Sequence, residues 1–282
     1  MNVPYHLARL EGKIVRAAYR ARLPSIVRQS VPVARELPFD VFAYSGEINL
    51  PEQVASIRSF LANAGRPKQF TVVSDGSYSD SSLELLQRID RCVRVERNAP
   101  PLPSGLPENV HLRLTEHFTG KQLALIMSLP AKGPTLYTDA DVLFFPEAKQ
   151  LADLSRTPSV CAFYLADYQF SADERLIRNT SEKEKPVNMG FLFLFQKLDW
   201  SIGLERLKNL AGTPNFFTTQ TVVHLCMHAN GAQPFDRQKF ILRADDEFIF
   251  RDMHASPPIA MRHYVNPIRH KFWTPLARRS LK

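Results

Sequence analysis

Two carboxylates interrupt a stretch otherwise composed for a protein interior: Pro134-Thr-Leu-Tyr-Thr-Asp139-Ala-Asp141-Val-Leu-Phe-Phe145. The run reads as a buried β-strand, and an unpaired charge at the edge of such a strand is costly. In an extended chain residues i and i+2 point the same way, roughly 6.5–7 Å apart, so Asp139 and Asp141 can close on one divalent cation. Ala140 between them keeps the approach open. Oxygen ligands favour hard ions such as Mg²⁺ or Mn²⁺, which commonly sit between carboxylates and nucleotide phosphates. The alternative is a strand-to-loop turn with two solvated or capping aspartates. Flanked by Leu136-Tyr137 and Leu143-Phe144-Phe145, the pair reads as a metal-nucleotide site at a strand end.

The elements that would position such a site alternate between strand and helix. Residues 39–44 are a short apolar run stopping at Ser45-Gly46, followed by a helical pattern over about 51–64. Residues 69–74 repeat the design, with a turn at Asp75-Gly76 and a helix over 81–90. This alternation implies parallel strands with right-handed crossovers, and ligands collect at the carboxyl ends of such strands. Ser45, Gly46, Asp75 and Gly76 fall at that edge. Asp75 can accept a hydrogen bond from a base or ribose, or simply build an Asp-Gly turn.

A Pro- and Gly-rich loop spans 98–109. After it, a short helix over 119–129 leads into the central strand, with Lys121 placed either to reach a nucleotide phosphate or to stay solvated. Residues 159–167 read as another strand closing on Asp167, and the charged stretch 171–186 is expected to be a mobile excursion over the site. Asn188 and Gly190 sit at the polar entry of a strongly apolar strand, 187–195. Asp199 can cap a helix through Leu210, with Gly212 just past its end. A second helix over 217–229 carries Gln220 near its start. There His224 and His228 share one face, but Leu225 stands where zinc hydrolases of the His-Glu-x-x-His type need Glu, so ordinary helix histidines are the better account.

Composition sets outer limits. A chain of 282 residues, 44% hydrophobic with 19 Phe, can bury a full core. No apolar run approaches a membrane span and the N-terminus lacks a signal-peptide segment, so a cytoplasmic protein is expected. Three widely spaced cysteines, Cys92, Cys161 and Cys226, argue for reduced thiols and against a disulfide frame. Of the net +8, the ends hold more than the whole: residues 1–36 carry seven basic against two acidic side chains and residues 261–282 six against none, so the body between them is net −3. A chain-wide nucleic-acid surface is therefore not indicated, whereas anionic partners at the termini are. Leu7, Leu10, Ile14, Ala17 and Ala18 recur at helical spacing with Arg9, Lys13, Arg16 and Arg20 on another face. Such a helix can lie on an anionic membrane surface or dock its apolar stripe on the parent domain.

Several motifs follow one another in a telling order: Gly120-Lys121 to Leu129; Leu136-Tyr-Thr-Asp139-Ala-Asp141-Val-Leu143; Val160-Cys161-Ala162 with Asp167; Val187-Asn188-Met189-Gly190 followed by Leu198-Asp199-Trp200; Thr219-Gln220; and His263-Tyr264 through Lys271-Phe272-Trp273. This order resembles the glycosyltransferases of the GT-A fold, most closely family 8, the retaining group of glycogenin and bacterial lipopolysaccharide galactosyl- and glucosyltransferases. The resemblance spans about residues 39–275. It implies an α/β fold with a mixed, mostly parallel central sheet flanked by helices. The chain then divides into a basic helical extension (1–36), a single catalytic domain (37–275) and a basic tail (276–282). Within that domain 37–145 form the nucleotide-binding half, 146–260 the acceptor half and 261–275 a closing segment. It departs from the family in that His263 and Lys271 are eight residues apart where the family has six, Asn266 stands for Gly, Phe272 for Pro, and Thr219 for Asp.

What the resemblance implies chemically is transfer of a hexose from a nucleotide-diphosphate sugar, a UDP-sugar by analogy, to a glycan, lipid-linked or other hydroxyl acceptor. Asp139, Asp141 and His263 would hold Mn²⁺ or Mg²⁺, with Lys121 and Lys271 on the diphosphate. Ser45, Asp75 and Ala140 would border the nucleotide, Asn188, Gly190 and Trp273 the substrate. Gln220 would steady the reacting centre, and Asp167 would bind hydroxyls. The basic ends allow peripheral contact with the inner membrane surface. Two other readings stay open. One is a haloacid-dehalogenase-type phosphohydrolase, with Asp139 as nucleophile and Asp245-Asp246 as its later acidic pair. The other is a non-catalytic binding protein of the same fold.

Overall fold

Strands form where the chain is apolar on both sides, and helices then cover the two faces. The computed structural model describes residues 2–101, 104–130, 133–156, 160–256 and 258–276. Helix α1 (Val3–Ala21) and the one-turn α2 (Leu23–Ile26) precede β1 (Asp40–Ser45), α3 (Leu50–Asn63), β2 (Phe70–Ser74), α4 (Asp80–Gln87) and β3 (Val93–Glu96). Helices α5 (Glu108–Glu116) and α6 (Phe118–Ser128) lead into β4 (Thr135–Asp139) and β5 (Val142–Phe144). Then come α7 (Leu151–Leu154), β6 (Ala162–Ala166), β7 (Val187–Leu194), α8 (Ser201–Lys208) and α9 (Thr218–Ala229). The described chain closes with β8 (Gln233–Pro234), β9 (Phe240–Ile241), β10 (Met261–His263) and a 3-10 turn, Arg269–Trp273.

Seven strands make the main sheet in the order β3-β2-β1-β4-β7-β6-β8, and three make a small second sheet, β5-β10-β9. β1 to β4 are mutually parallel where they pair, β7 runs against both β4 and β6, and β8 is parallel to β6. The expected mixed, mostly parallel sheet is therefore present. Successive residues of β4 serve opposite faces: Leu136 packs with Phe60, Phe144 and Phe191 under α3, and Tyr137 with Leu123, Leu192 and Val222 under α6 and α9. The register sets Tyr44 beside Asp139 and Ser45 beside Ser74, so the carboxyl ends of β1, β2 and β4 form one edge.

Three expectations need correction. The charged stretch 171–186 is not a free excursion: the buried Asp173 accepts from Arg175 Nη2 (2.6 Å) and Thr218 Oγ1 (2.5 Å), and Glu182 pairs with Arg206 (2.8 Å), tying it to α8 and α9. Helix α1 does not dock through Leu7, Leu10 and Ile14, which are exposed; it docks through Ala8, Gly12, Val15 and Tyr19. Gly12 is required there, since a Cβ would lie 2.4 Å from the His270 carbonyl oxygen. Finally, the second sheet has no counterpart in the sequence reading, because its strands are only two or three residues long. The cysteines are free, as expected. Of the basic tail, residues 277–282 lie outside the described residues, as do 102 and 103 of the Pro-rich loop.

Candidate active site

β4 ends on Asp139 at the carboxyl edge of the sheet, and Ala140, buried in the turn that follows, passes the chain to β5. β10 then runs antiparallel to β5 with His263 opposite Val142, and the Tyr264 amide donates to the Asp141 carbonyl at 2.9 Å. This ladder, formed across more than a hundred residues of chain, brings the imidazole to the acids. His263 Nε2 lies 3.1 Å from Asp141 Oδ1 and 3.6 Å from Asp139 Oδ2. One ligand atom from each of the three residues lies within 4.8 Å of the others. Gly190 on β7 makes room for this: a Cβ there would stand 2.3 Å from His263 Cε1 and 2.6 Å from Asp139 Oδ2.

Burial works against charge on all three groups, and what remains depends on their neighbours. For Asp139, burial prevails over the pull of His263, and its pKa is pushed up to about 6. For Asp141, burial is outweighed by His263 and Arg269, which hold it at about 2. Burial pulls the His263 imidazole down, but the carboxylates of Asp141 and Asp139 outweigh it and raise its pKa. Asp139 Oδ1 is fixed by Gln122 Nε2 and the Tyr137 hydroxyl, each at 2.9 Å, leaving Oδ2 toward His263. His263 Nδ1 is buried with no hydrogen-bond partner. A half-buried carboxylate, a buried one and a buried imidazole, with negative charge incompletely answered, are a donor set that fits a hard divalent cation.

At the carboxyl end of β2 a cleft of about 190 Å³ is lined by Asp75, Arg97, Asn98, Pro100, Leu114 and Lys121. Lys121 Nζ donates to the Asp75 carbonyl at 3.1 Å. Ser45 is at the sheet edge, but its hydroxyl is engaged by Gln53 Oε1 and the Tyr78 hydroxyl, both at 2.7 Å. Asn188 Nδ2 donates to Asp167 Oδ2 (3.3 Å) and its Oδ1 accepts from the Gly190 amide (2.9 Å), so Asp167 is linked to the acid pair through β7. Burial raises the Asp167 carboxyl above its ordinary value. Gln220 lies in the first turn of α9 and donates to the Ser171 carbonyl at 2.9 Å. The neighbouring Thr219 hydroxyl is 3.9 Å from Met189 Sδ. His224 and His228 hydrogen-bond to the carbonyls of Glu182 and Lys185, as ordinary helix histidines do.

Two assignments are not met by the geometry. Lys271 is fully buried, with Nζ donating to the carbonyls of Asp246 (2.5 Å), Ile249 (2.7 Å) and Arg251 (2.9 Å), so it has no donor to offer a diphosphate. Trp273 lies in the core beneath α1, its ring 5.2 Å from Tyr19 and 5.0 Å from Phe272. The side chain that does face the acids is Arg269, whose Nη2 is 3.5 Å from Asp141 Oδ2 and 3.1 Å from Asn49 Oδ1. Arg269 stands six residues after His263, the family's own spacing from His to Lys. That count was the signal for it. Gln122 carried no comparable signal, since nothing local distinguishes it from a helix-surface amide.

A mixed, mostly parallel sheet of this order, flanked by helices, is of the GT-A class of folds. No protein-family profile and no curated protein matches the sequence. Among solved structures, the chain is similar to the galactosyltransferase LgtC in complex with donor and acceptor sugar analogues, with a TM-score of 0.56 and 16% identity over 86% of this chain and 95% of that one. It is also similar to the glycosyltransferase GlyE of Streptococcus pneumoniae (0.52, 12%, 88% and 63%). A third similar structure is the bifunctional enzyme WbbM (0.53, 12%, 85% and 48%). At these identities the likeness establishes the GT-A fold, in agreement with the resemblance carried by the motifs.

Proposed function

We propose that the protein is a metal-dependent glycosyltransferase that moves a hexose from a nucleotide-diphosphate sugar, UDP-hexose by the resemblance, to a hydroxyl of a glycan or lipid-linked acceptor, with retention. The observation that carries this reading is the convergence of Asp139, Asp141 and His263 from two distant strands onto one point at the sheet's ligand edge. When bound there, Mn²⁺ or Mg²⁺ supplies Lewis-acid stabilisation of the charge that develops on the departing diphosphate.

The chain's own groups bind and orient. Gln122 and Tyr137 fix the Asp139 carboxylate in one rotamer. Arg269 is placed to give a diphosphate oxygen a charge-assisted hydrogen bond, and Lys121 to do so from the cleft side. Asp75 and the cleft it lines suit a ribose and base. Asp167 and Asn188 present acceptors and donors to sugar hydroxyls, with Gly190 keeping the backbone close to them. Gln220 would steady the oxocarbenium-like centre through its amide oxygen. In a retaining transfer the acceptor approaches the face the diphosphate leaves, so no strong base is needed opposite.

The phosphohydrolase reading is not favoured: Asp246, which it needs beside the nucleophile, is enclosed by Arg262 (2.8 Å) and Lys271 (3.3 Å). The test is calorimetry of UDP binding with and without Mn²⁺, together with hydrolysis of a panel of nucleotide sugars. Mn²⁺-dependent binding and turnover, both lost in Asp141→Ala with an unchanged circular dichroism spectrum, are expected. Turnover unaffected by that substitution removes the site.

A further inference from the structure

On α1, at about 100° per residue, Val3, Leu7, Leu10 and Ile14 fall within an arc of about 60°. The docked residues Ala8, Gly12, Val15 and Tyr19 fall in another, roughly 140° away. The aliphatic stripe therefore faces solvent, each of its four side chains between 51% and 59% exposed. Between the two arcs lie the exposed Arg9, Lys13 and Arg20, while Arg16 binds Glu52 at 2.6 Å and fastens the helix to α3.

A second apolar surface meets the start of this helix at Tyr5, which lies about 170° round it from the aliphatic stripe. Phe248, Ile249, Phe250 and Met253 are all exposed, Phe248 at 57% and Met253 at 58%, and the Phe248 ring is 5.5 Å from that of Tyr5. This segment is held open by the interior. Lys271 gathers the carbonyls of Asp246, Ile249 and Arg251 on one ammonium, and the buried Arg262 binds Asp246 and Asp252 at its two ends. With its carbonyls drawn inward, the segment presents its aromatic side chains outward. Buried charge thus maintains an apolar surface that solvent alone would disfavour.

We propose that the Val3/Leu7/Leu10/Ile14 stripe of α1 inserts into an anionic phospholipid bilayer. An apolar stripe flanked by arginine and lysine is the pattern of an interfacial helix, and each such cation near an anionic surface adds attraction. Charge selects lipid over a second copy of the chain. Glu11 is the sole acid on α1, so pairing two such helices would set Arg9, Lys13 and Arg20 against their like. The face does not depend on the glycosyltransferase reading, and its test needs no donor.

The test is co-flotation of the full chain with vesicles of phosphatidylcholine alone or with 30% phosphatidylglycerol, alongside sedimentation for oligomeric state. The expected result is binding to the anionic vesicles only. It should weaken tenfold or more in Leu7→Glu/Leu10→Glu and stay within about twofold in Phe248→Ser/Phe250→Ser, with unchanged melting temperatures and unchanged UDP binding. The proposal is overturned by absence of wild-type binding. It is equally overturned by binding that the Leu7→Glu/Leu10→Glu variant retains, which would assign it to charge alone. A dimer that this variant dissociates would assign the stripe to a second copy, and also overturns it.

Discussion

Among the described residues, two places gather two aspartates and a histidine closely enough to hold a cation: Asp139, Asp141 and His263, and Asp245, Asp246 and His254. They differ in burial, Asp245 being exposed, and above all in charge balance. Asp246 is fully buried, yet Arg262 and Lys271 answer it, and Arg262 also answers Asp252, which accepts from the Tyr264 hydroxyl at 2.9 Å. In that cluster two buried carboxylates meet two buried cations. At the other, Asp139 and Asp141 share one imidazole and a guanidinium no nearer than 3.5 Å, and the acid left short of compensation, Asp139, has its pKa pushed up to about 6. Proximity of acids does not make a cation site; unanswered negative charge does.

The comparison breaks most visibly at Asp141. Its replacement by Ala should lower Mn²⁺-dependent turnover by about a thousandfold or more, since a metal contributes several kcal/mol to stabilising the leaving charge. Stability should fall by about 2 kcal/mol as well, because His263 and Arg269 hold the Asp141 carboxyl at about 2, well below its unfolded value. Thermal melting and steady-state rates measured on the same preparation check both halves. The matched substitution in the other cluster, Asp246→Ala, leaves the buried Lys271 with no carboxylate and the buried Arg262 with Asp252 alone. A loss of about 3–5 kcal/mol is expected, seen as a melting temperature lower by roughly 10 °C. A small shift there would mean the two clusters are not as different as their partners suggest.

Arg269 and Lys271 sharpen the contrast two residues apart. Arg269→Ala should reduce kcat/KM by about 10- to 100-fold with little change in melting, as one charge-assisted hydrogen bond contributes on that scale. Lys271→Met should do the reverse, lowering the melting temperature while leaving turnover per folded molecule within about threefold. If instead Lys271→Met abolishes turnover without destabilising the protein, the assignment of the two residues is inverted.

This pair also shows where the sequence stopped being readable. The strands β1, β2, β4 and β7 and the helices α3, α6 and α9 were legible because burial on both faces and helical periodicity are local signals. The Asp-x-Asp spacing was legible for the same reason. Which basic residue of 269–271 faces the acids was not, because the answer lies in a buried carboxylate, Asp246, some 25 residues upstream that draws Lys271 inward. The β5–β10 ladder that places His263 was beyond local reading, since strands of three residues carry no pattern. Helix α1 misled for a different reason. Its strongest apolar stripe points outward, and the small Ala8 and Gly12, which periodicity scores as weak, make the packed face.

The smallest expected effect, and the one that tests charge balance most directly, is the pH dependence of metal binding. In the folded protein Asp139 keeps its proton up to about pH 6, and the acids raise the His263 imidazole above its ordinary range. For both groups the folded pKa exceeds the unfolded one. The stability they contribute is therefore present at low pH and lost as pH rises through those values. A divalent cation requires both groups deprotonated and supplies the missing positive charge, so it reverses that loss. Mn²⁺ affinity should climb by up to tenfold per pH unit for each proton displaced as pH rises through about 6 and on through the raised range of His263, and the Mn²⁺-induced rise in melting temperature should grow with it. Asp246, whose carboxyl Arg262 and Lys271 hold below its usual range against burial, stays ionised throughout and should add no slope. Calorimetry in buffers of different ionisation enthalpy counts the protons released. A count near zero at pH 6, with affinity independent of pH, would show the Asp139 site to be as well compensated as the Asp246 cluster and would remove the physical basis for a metal there.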